Sequence, residues 1–198
     1  MHDYSIDTDI RRLIHVKLAI ISLGLPAWIL SAAPRIGIPM PLAFPISSGT
    51  LFALMFWAWN MWIWRWGWVR RFHGIPDLNG KWQGKGKSSY IDPARPGEPF
   101  AFDIEVTIKQ TFSRMEIDTK TSNSTSRSFM SSFELDHTVS TFRYAYDNKP
   151  GNMANSELQR HPGMMDIRVE SEGLMRGDYF SGKHRLRYGE ITLTRNNT

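Results

Sequence analysis

Cysteine is missing from all 198 residues of this sequence. A disulfide framework and thiolate chemistry are therefore excluded, and a reducing compartment is allowed. Recognisable catalytic signatures are missing as well: there is no H-E-x-x-H, no G-x-S-x-G and no cluster of histidines with metal-ligand spacing. We expect neither an enzyme nor a bound cofactor or metal.

Charge of either sign is missing from a run of nineteen residues, Ile46 to Trp64. A membrane-spanning helix needs about 20 mainly apolar residues. Six of the eight tryptophans crowd between Trp57 and Trp68, and arginines follow directly, as is typical of a helix end at the lipid headgroups. This run therefore predicts a transmembrane helix over about 46–66.

An earlier apolar run covers 16–33 and is interrupted only by Lys17 and Pro26, both of which membrane helices tolerate near an interface or beside neighbouring helices. A buried helix of a globular protein or a cleaved signal sequence would show the same composition. Because the second run follows closely, we predict a two-helix transmembrane hairpin within 16–71. Cations flank the outer ends of both runs, which places the N-terminal segment 1–15 and the C-terminus in the cytoplasm.

Long helical periodicity is missing after Pro76, where short alternating segments are separated by Gly, Pro, Asn, Asp and Ser. Eight strands are predicted, at 81–90, 100–108, 114–121, 125–135, 137–146, 164–170, 174–181 and 185–195. Eight half-apolar antiparallel strands close economically into a lipocalin-like meander β-barrel with room for one small ligand. A β-sandwich would satisfy the same pattern. The predicted fold is thus a transmembrane hairpin followed by a cytoplasmic β-barrel at 76–198, which would bind the ligand.

Excess charge is also missing from the C-terminal part, where residues 72–198 carry seventeen Lys and Arg against sixteen Asp and Glu. This balance argues against binding of DNA or RNA polymers through a broad basic face. Any anionic ligand of this region should be small.

Aromatic and basic side chains are what the predicted barrel offers instead. Strand alternation gives inward parity to five rings that could stack on nucleobases, although such rings could equally form the core: Trp82, Tyr90, Tyr144, Tyr146 and Tyr179. Three arginines can also point inward, by parity with Phe129 and Ile191: Arg127, Arg185 and Arg187. The planar guanidinium of an inward arginine suits phosphate, although each of the three could instead be a solvated surface charge.

The segment Pro76–Trp82, which reads PDLNGKW, follows the two apolar runs, and a series of marks follows it in order. These marks are Tyr144, Tyr146, Asn148, Pro150, His161, Gly163, Leu174, Gly177, Tyr179, Phe180 and the closing run GEITLTR at 189–195. Their order and spacing resemble the membrane effectors of bacterial anti-phage CBASS systems, the two-helix, β-barrel proteins associated with cGAS/DncV-like nucleotidyltransferases.

The resemblance implies that one chain both senses a ligand and carries out the effector function. The barrel would bind a cyclic di- or oligonucleotide made by a cognate nucleotidyltransferase, and the chain would then form a homo-oligomer. Assembly would disrupt a lipid bilayer, the bacterial inner membrane, and cause abortive infection. For such a ligand, strand parity gives the hypothesised contacts: Trp82, Tyr144, Tyr146 and Tyr179 as stacking or pocket groups, and Arg127, Arg185 and His161 as phosphate contacts.

Other classes of function remain open. A membrane-tethered, lipocalin-like binder of an apolar molecule would have a cavity lined by Phe, Ile and Met without converging arginines. A protein-docking scaffold would have a filled barrel and an exposed apolar patch. A nucleotide hydrolase ranks last, because no nucleophile, base and orienting group present themselves.

Overall fold

The three α-helices follow one short strand and precede the other eight strands along the described chain. The computed structural model describes residues 1–32, 35, 47–91, 97, 99–136, 139–151, 160–182 and 187–196. One unit consists of Met1–Asp7 together with Gly74–Thr198, and the other is Thr8–His73. We refer to them as the barrel unit and the helical unit. Residues 1–7, which the alternation pattern left in a separate N-terminal segment, belong to the barrel unit.

The helical unit contains α1 (Ile10–Ala32), α2 (Ser48–Met61) and α3 (Gly67–His73), with a 3₁₀ turn at Ile63–Arg65 between α2 and α3. Ser47 begins α2 by accepting a hydrogen bond at Oγ from the backbone N–H of Thr50, at 3.1 Å. The ring of His15 in α1 packs edge-on against Phe56 in α2, with centroids 5.3 Å apart. α1 and α2 therefore pack against each other within this unit.

The predicted transmembrane hairpin is wrong. Within the part of the chain that is described, none of the helices combines the length and the apolar character that a membrane crossing requires. α2 ends at Met61 after 14 residues, which is about 21 Å of helix against the roughly 30 Å of a hydrocarbon core. Uncharged composition continues beyond Met61, but the helix does not. The predicted multi-pass location in the inner membrane depended on these spans and is wrong with them.

The barrel unit holds nine strands among the described residues: β1 (His2–Ile6), β2 (Gly80–Ile91), β3 (Pro99–Gln110), β4 (Arg114–Thr121), β5 (Ser124–Glu134), β6 (Ser140–Pro150), β7 (His161–Ser171), β8 (Leu174–Ser181) and β9 (Tyr188–Arg195). They close into a barrel in the order β1-β4-β3-β2-β9-β8-β7-β6-β5. The expected count of eight is thus corrected to nine, and the expected simple meander is corrected by the insertion of β1.

β1 fills a fork between β4 and β5. These two strands pair directly only near their shared turn, at Asp118↔Arg127 through Lys120↔Thr125. Further from the turn β1 lies between them, antiparallel to β4 at Asp3↔Arg114 and parallel to β5 at Tyr4↔Ser131. The sheet is therefore mixed, and its closure depends on a strand from the other end of the sequence.

One end of the barrel, where β3 turns into β4, is filled by core side chains and is called the closed end here. Trp82 is fully buried, and its indole N–H donates to the carbonyl of Leu78 at 2.9 Å. The backbone N–H of Leu78 donates to Gln110 Oε1 at 2.8 Å, and the backbone N–H of Gln110 donates to Asn79 Oδ1 at 2.7 Å. Gly80 has a φ of 124°, which favours glycine. The PDLNGKW segment therefore seals this end of the barrel.

Candidate functional site

The opposite end of the barrel, where β4 turns into β5, holds a cavity of about 340 Å³ and is called the open end here. Pockets for small ligands usually range from about 300 to 1,000 Å³. Strand ends alternate in direction, so the C-terminal ends of β2, β4, β6 and β8 meet the N-terminal ends of β3, β5, β7 and β9 here. Seven strands, β2 to β8, thus supply lining side chains at this end, and Arg187 joins them from the residue directly before β9.

Short polar side chains make up much of the lining. Hydroxyl and amide groups come from Ser88, Thr119, Thr121, Ser122, Asn123, Ser124, Ser126, Asn148 and Ser181. These residues leave space that longer side chains would fill, and they offer both donors and acceptors.

Cationic character is supplied by Arg187, with His161 also on the lining. The guanidinium carbon of Arg187 lies 4.1 Å from the centroid of the Tyr90 ring, a cation–π contact that positions the arginine at the rim. No Asp or Glu is among the described lining residues. Asp147 lies between two lining residues on β6, but alternation turns it outward, where it accepts a hydrogen bond from Arg160 Nε at 2.7 Å. The cavity therefore suits an anion.

Aromatic rings form the walls of the cavity. Phe102 meets Tyr179 edge to face, with centroids 5.9 Å apart and planes at 80°, and stacks over Phe100 at 6.4 Å. Tyr90 packs edge-on against Phe100 at 5.8 Å. Tyr146 stands on β6, and its phenol is close enough to that of Tyr179 to interact with it electrostatically. Flat faces are thus presented from several strands.

The Tyr146 phenol stays protonated over the whole physiological range. Burial, the largest cause, and the neighbouring Tyr179 both raise the pKa of Tyr146, a hydrogen bond with the Ser181 side chain lowers it, and the net result is a pKa of about 12. A neutral phenol beside the cavity does not repel a phosphate.

Across the described ranges, no three His, Asp or Glu side chains come together as a set of metal ligands. The histidine of the lining, His161, lies opposite Asn148 on the neighbouring strand.

Three of the residues expected from the sequence come together at the cavity: Tyr146, Tyr179 and His161. Tyr144 and Trp82 also point inward, but at other levels. Tyr144 is buried below Tyr146, where its hydroxyl donates to Met165 Sδ at 2.8 Å and burial raises its pKa, and Trp82 belongs to the closed end. Arg185 lies outside the described residues.

Arg127 faces away from the barrel interior. A β-bulge between Ser128 and Met130 shifts the register of β5 on β6, and both Phe129 and Met130 are exposed. Phe129 therefore faces outward, and a residue in parity with it does so too. The Arg127 guanidinium donates from Nε to Asp118 Oδ1 at 2.7 Å on the outer surface, and that carboxylate raises the pKa of Arg127.

Several lining residues were absent from the expected set. Arg187 had the right parity in the sequence, but the expected phosphate contacts did not include it. Phe102 and Phe100 had the inward alternation of a core strand, and Asn148 was noted only through the family resemblance. Their common signal is that they lie within a few residues of strand ends at one end of the barrel, which alternation by itself does not reveal.

Comparison with known proteins bears on this cavity. Residues 73–195, which contain β2 to β9, match the family described as Cap15, cyclic dinucleotide receptor domain. The chain belongs to the Cap15 cyclic dinucleotide receptor family. A curated relative, CD-NTase-associated protein 15 of Yersinia aleksiciae, is 27% identical over 160 residues, covering 80% of this chain and 74% of that protein.

The Cap15 match confirms the resemblance to CBASS effectors, and the chain is a CBASS effector of the class that senses a cyclic nucleotide. Among solved structures, a protein of unknown function from the DUF3598 family of Nostoc punctiforme gives a TM-score of 0.34 at 13% identity. That match covers 60% of this chain and 48% of that one. At this TM-score the comparison does not bear on the fold or the function.

Proposed function

We propose that this chain binds a cyclic dinucleotide in the cavity at the open end of the barrel. The observation that carries the proposal is the composition of that cavity, which combines aromatic walls, an arginine at the rim and no described carboxylate in the lining. The family match over residues 73–195 supports the same ligand class. A cyclic dinucleotide presents flat bases and two anionic phosphodiesters, which are the groups these surfaces complement.

Each lining group has a distinct proposed role. Tyr146, Tyr179 and Phe102 present ring faces or edges to the bases, an interaction that contributes roughly 1 to 3 kcal/mol per stacked base. Arg187 pairs with a phosphodiester through its planar fork. His161 and Asn148 lie side by side at the rim and hydrogen-bond with phosphate or sugar oxygens.

The cavity lining favours this proposal over the two binding alternatives. An apolar ligand would require walls of Phe, Ile and Met, yet hydroxyl and amide groups make up half of the described lining. A docking scaffold would have a filled barrel, whereas this one holds about 340 Å³ of open space. The proposed role is that of a sensor without a catalytic step.

We propose that the helical unit delivers the output when ligand-bound chains form a homo-oligomer. Its large exposed apolar side chains include Leu23, Trp28, Trp57, Trp66 and Trp68, and apolar side chains exposed in such number mark an interaction surface. Disruption of a bilayer is proposed only in a form that needs no spanning helix. Assembled helical units would act from the membrane surface, where indoles are favoured.

The deciding experiment is titration of the full-length chain with a panel of cyclic dinucleotides by calorimetry at one stated salt concentration. Submicromolar binding of one member, lost in a Tyr179→Ala variant that still folds, is the expected result. A folded chain that binds no member of the panel would contradict the proposal, and a screen of apolar ligands would then test the lipocalin-like alternative.

A further inference from the structure

Three rings of the cavity wall each lie directly opposite a glycine on the neighbouring strand. Phe102 pairs with Gly86, Tyr146 pairs with Gly163, and Tyr179 pairs with Gly189. These rings come from three different strands, and the glycines come from three others. The arrangement therefore repeats around the cavity and is not a property of one hairpin.

The rings occupy the space that a side chain at each glycine would need. A Cβ atom on Gly163 would lie 2.3 Å from Cζ and 2.4 Å from the hydroxyl of Tyr146, and a Cβ atom on Gly86 would lie 2.3 Å from Cζ of Phe102. These separations are far below van der Waals contact. Each ring thus lies down over the backbone of the neighbouring strand and does not project toward the barrel axis.

Gly189 differs from the other two because its Cβ would also lie 1.9 Å from the carbonyl oxygen of Lys87. A substitution there would disturb strand pairing as well as the ring. Near Gly86 and Gly163, the closest atoms belong only to the ring opposite. These two positions therefore separate the placement of a ring from the integrity of the sheet.

We infer that Gly163 and Gly86 determine ligand specificity, by holding Tyr146 and Phe102 flat against the wall and so keeping the cavity wide enough for two-ring bases. A methyl group at either position turns the opposing ring into the cavity. The gap that remains still admits a one-ring base but excludes a purine. This inference rests on the proposed function, because it names the base class that the same cavity accepts.

The test compares full-length Gly163→Ala and Gly86→Ala with Gly173→Ala, a matched control whose added Cβ would meet no atom within 4 Å. We expect each wall variant to weaken binding of a cyclic dipurine nucleotide by about tenfold or more and to change cyclic dipyrimidine binding much less. Gly173→Ala should change neither. Equal losses for both ligand classes, or no loss, would overturn the inference. Thermal unfolding identifies a variant that fails to fold, and the second wall variant then decides.

A ligand-free measurement separates failure of this inference from failure of the proposed function. The Tyr146 ring resonances, assigned by comparison with Tyr146→Phe, should shift in Gly163→Ala and stay in place in Gly173→Ala. If the wild-type chain binds no cyclic dinucleotide, the proposed function is wrong, but the ring shift still tests the placement. Unchanged ring resonances in folded Gly163→Ala would overturn the inference in either case.

Discussion

Arg187 and Arg127 show how one residue type serves opposite purposes on the two faces of the barrel. Arg187 leans over Tyr90 at the rim of the cavity, whereas Arg127 pairs with Asp118 outside it. An arginine on the inner face of the barrel is available to a ligand, whereas one on the outer face pairs with a neighbouring carboxylate. Arg127 therefore serves as a control for substitutions of Arg187.

Replacing Arg187 by alanine should weaken cyclic dinucleotide binding by about 10- to 100-fold, because a hydrogen bond to a charged group contributes about 1.5 to 3 kcal/mol. The affinity of Arg187→Lys should fall between those of the wild type and Arg187→Ala, since lysine keeps the positive charge but lacks the planar guanidinium that donates paired hydrogen bonds. Arg127→Ala should leave the dissociation constant unchanged. Calorimetry on the three folded variants checks this, and equal effects at both arginines would contradict the assignment.

Tyr146 ties stability to pH at the alkaline end. Its pKa is about 12 in the folded chain and about 10 in an unfolded chain. Because the pKa of Tyr146 is higher in the folded chain, its neutral phenol stabilises the folded chain fully below pH 10, and this contribution to the free energy of unfolding is lost as the pH rises to 12. The shift corresponds to about 3 kcal/mol.

Tyr146→Phe should therefore flatten the decline in the free energy of unfolding between pH 10 and 12. Urea unfolding at several pH values measures it. Tyr188→Phe is the control, because Tyr188 is 62% exposed. A Tyr146→Phe chain with the wild-type pH slope would show that this phenol is not shielded in solution.

Face could be predicted from alternation, but depth along the barrel axis could not. Tyr144 and Tyr146 share a parity, yet only Tyr146 reaches the cavity, because strand register sets the level and register depends on distant partners. At Arg127 even the face was misjudged, because the bulge at Ser128/Met130 has no signature that alternation can detect. Resemblance to the family contributed His161, which periodicity does not single out.

At the scale of elements, β1 joins distant parts of the chain by pairing with β4 and β5. Tyr4 is 2% exposed, its hydroxyl donates to the carbonyl of Phe112 at 2.7 Å, and its ring meets Phe133 edge to face at 5.4 Å. Beyond the strand, Asp7 Oδ1 accepts the backbone N–H of Leu135 at 3.0 Å. A fragment that starts at residue 76 lacks all of these contacts and leaves the fork between β4 and β5 unfilled.

Tyr4→Ala should lower the free energy of unfolding by about 3 to 5 kcal/mol, as expected for removal of a buried aromatic ring. Tyr188→Ala, at an exposed position on β9, should change it by no more than about 0.5 kcal/mol. Urea unfolding of both full-length variants provides the comparison. Similar stabilities would mean that β1 does not hold the barrel closed.

Local pattern located β2 to β9 within a few residues, since alternation and turn residues are properties of each segment alone. β1 was missed because five residues with one buried ring carry little periodicity, and their partners begin more than a hundred residues away. The helix error has a different origin. Hydropathy reports the composition of 46–66, but helix continuity depends on backbone conformation at Trp62, where φ is −133° and α2 has ended.

At the scale of the whole molecule, the proposed function assigns sensing to the barrel unit and output to the helical unit. To act as a switch, the ligand must bind the assembled state more tightly than the resting one. The barrel unit offers the binding cavity, and the helical unit offers exposed apolar side chains.

Addition of the cognate cyclic dinucleotide to the full-length chain should raise its sedimentation coefficient and should release dye from anionic lipid vesicles. Arg187→Ala should do neither at a ligand concentration that lies between the wild-type and variant dissociation constants, because its weaker binding leaves most chains without ligand. A rise in the sedimentation coefficient without dye release would support the proposed homo-oligomer and contradict the proposed disruption of a bilayer. A sedimentation coefficient that does not change when the ligand binds would contradict the proposed homo-oligomer.

The long separation in sequence between β1 and its partner strands has a consequence for biosynthesis. Asp3 leaves the ribosome 111 residues before Arg114, its partner on β4, a delay of roughly 6 to 22 s at ordinary rates of translation. Throughout that interval β1 has neither of its partner strands to pair with, while the apolar helical segment emerges behind it. The nascent chain therefore exposes an unpaired strand and an apolar segment together, and both features favour aggregation before the barrel closes.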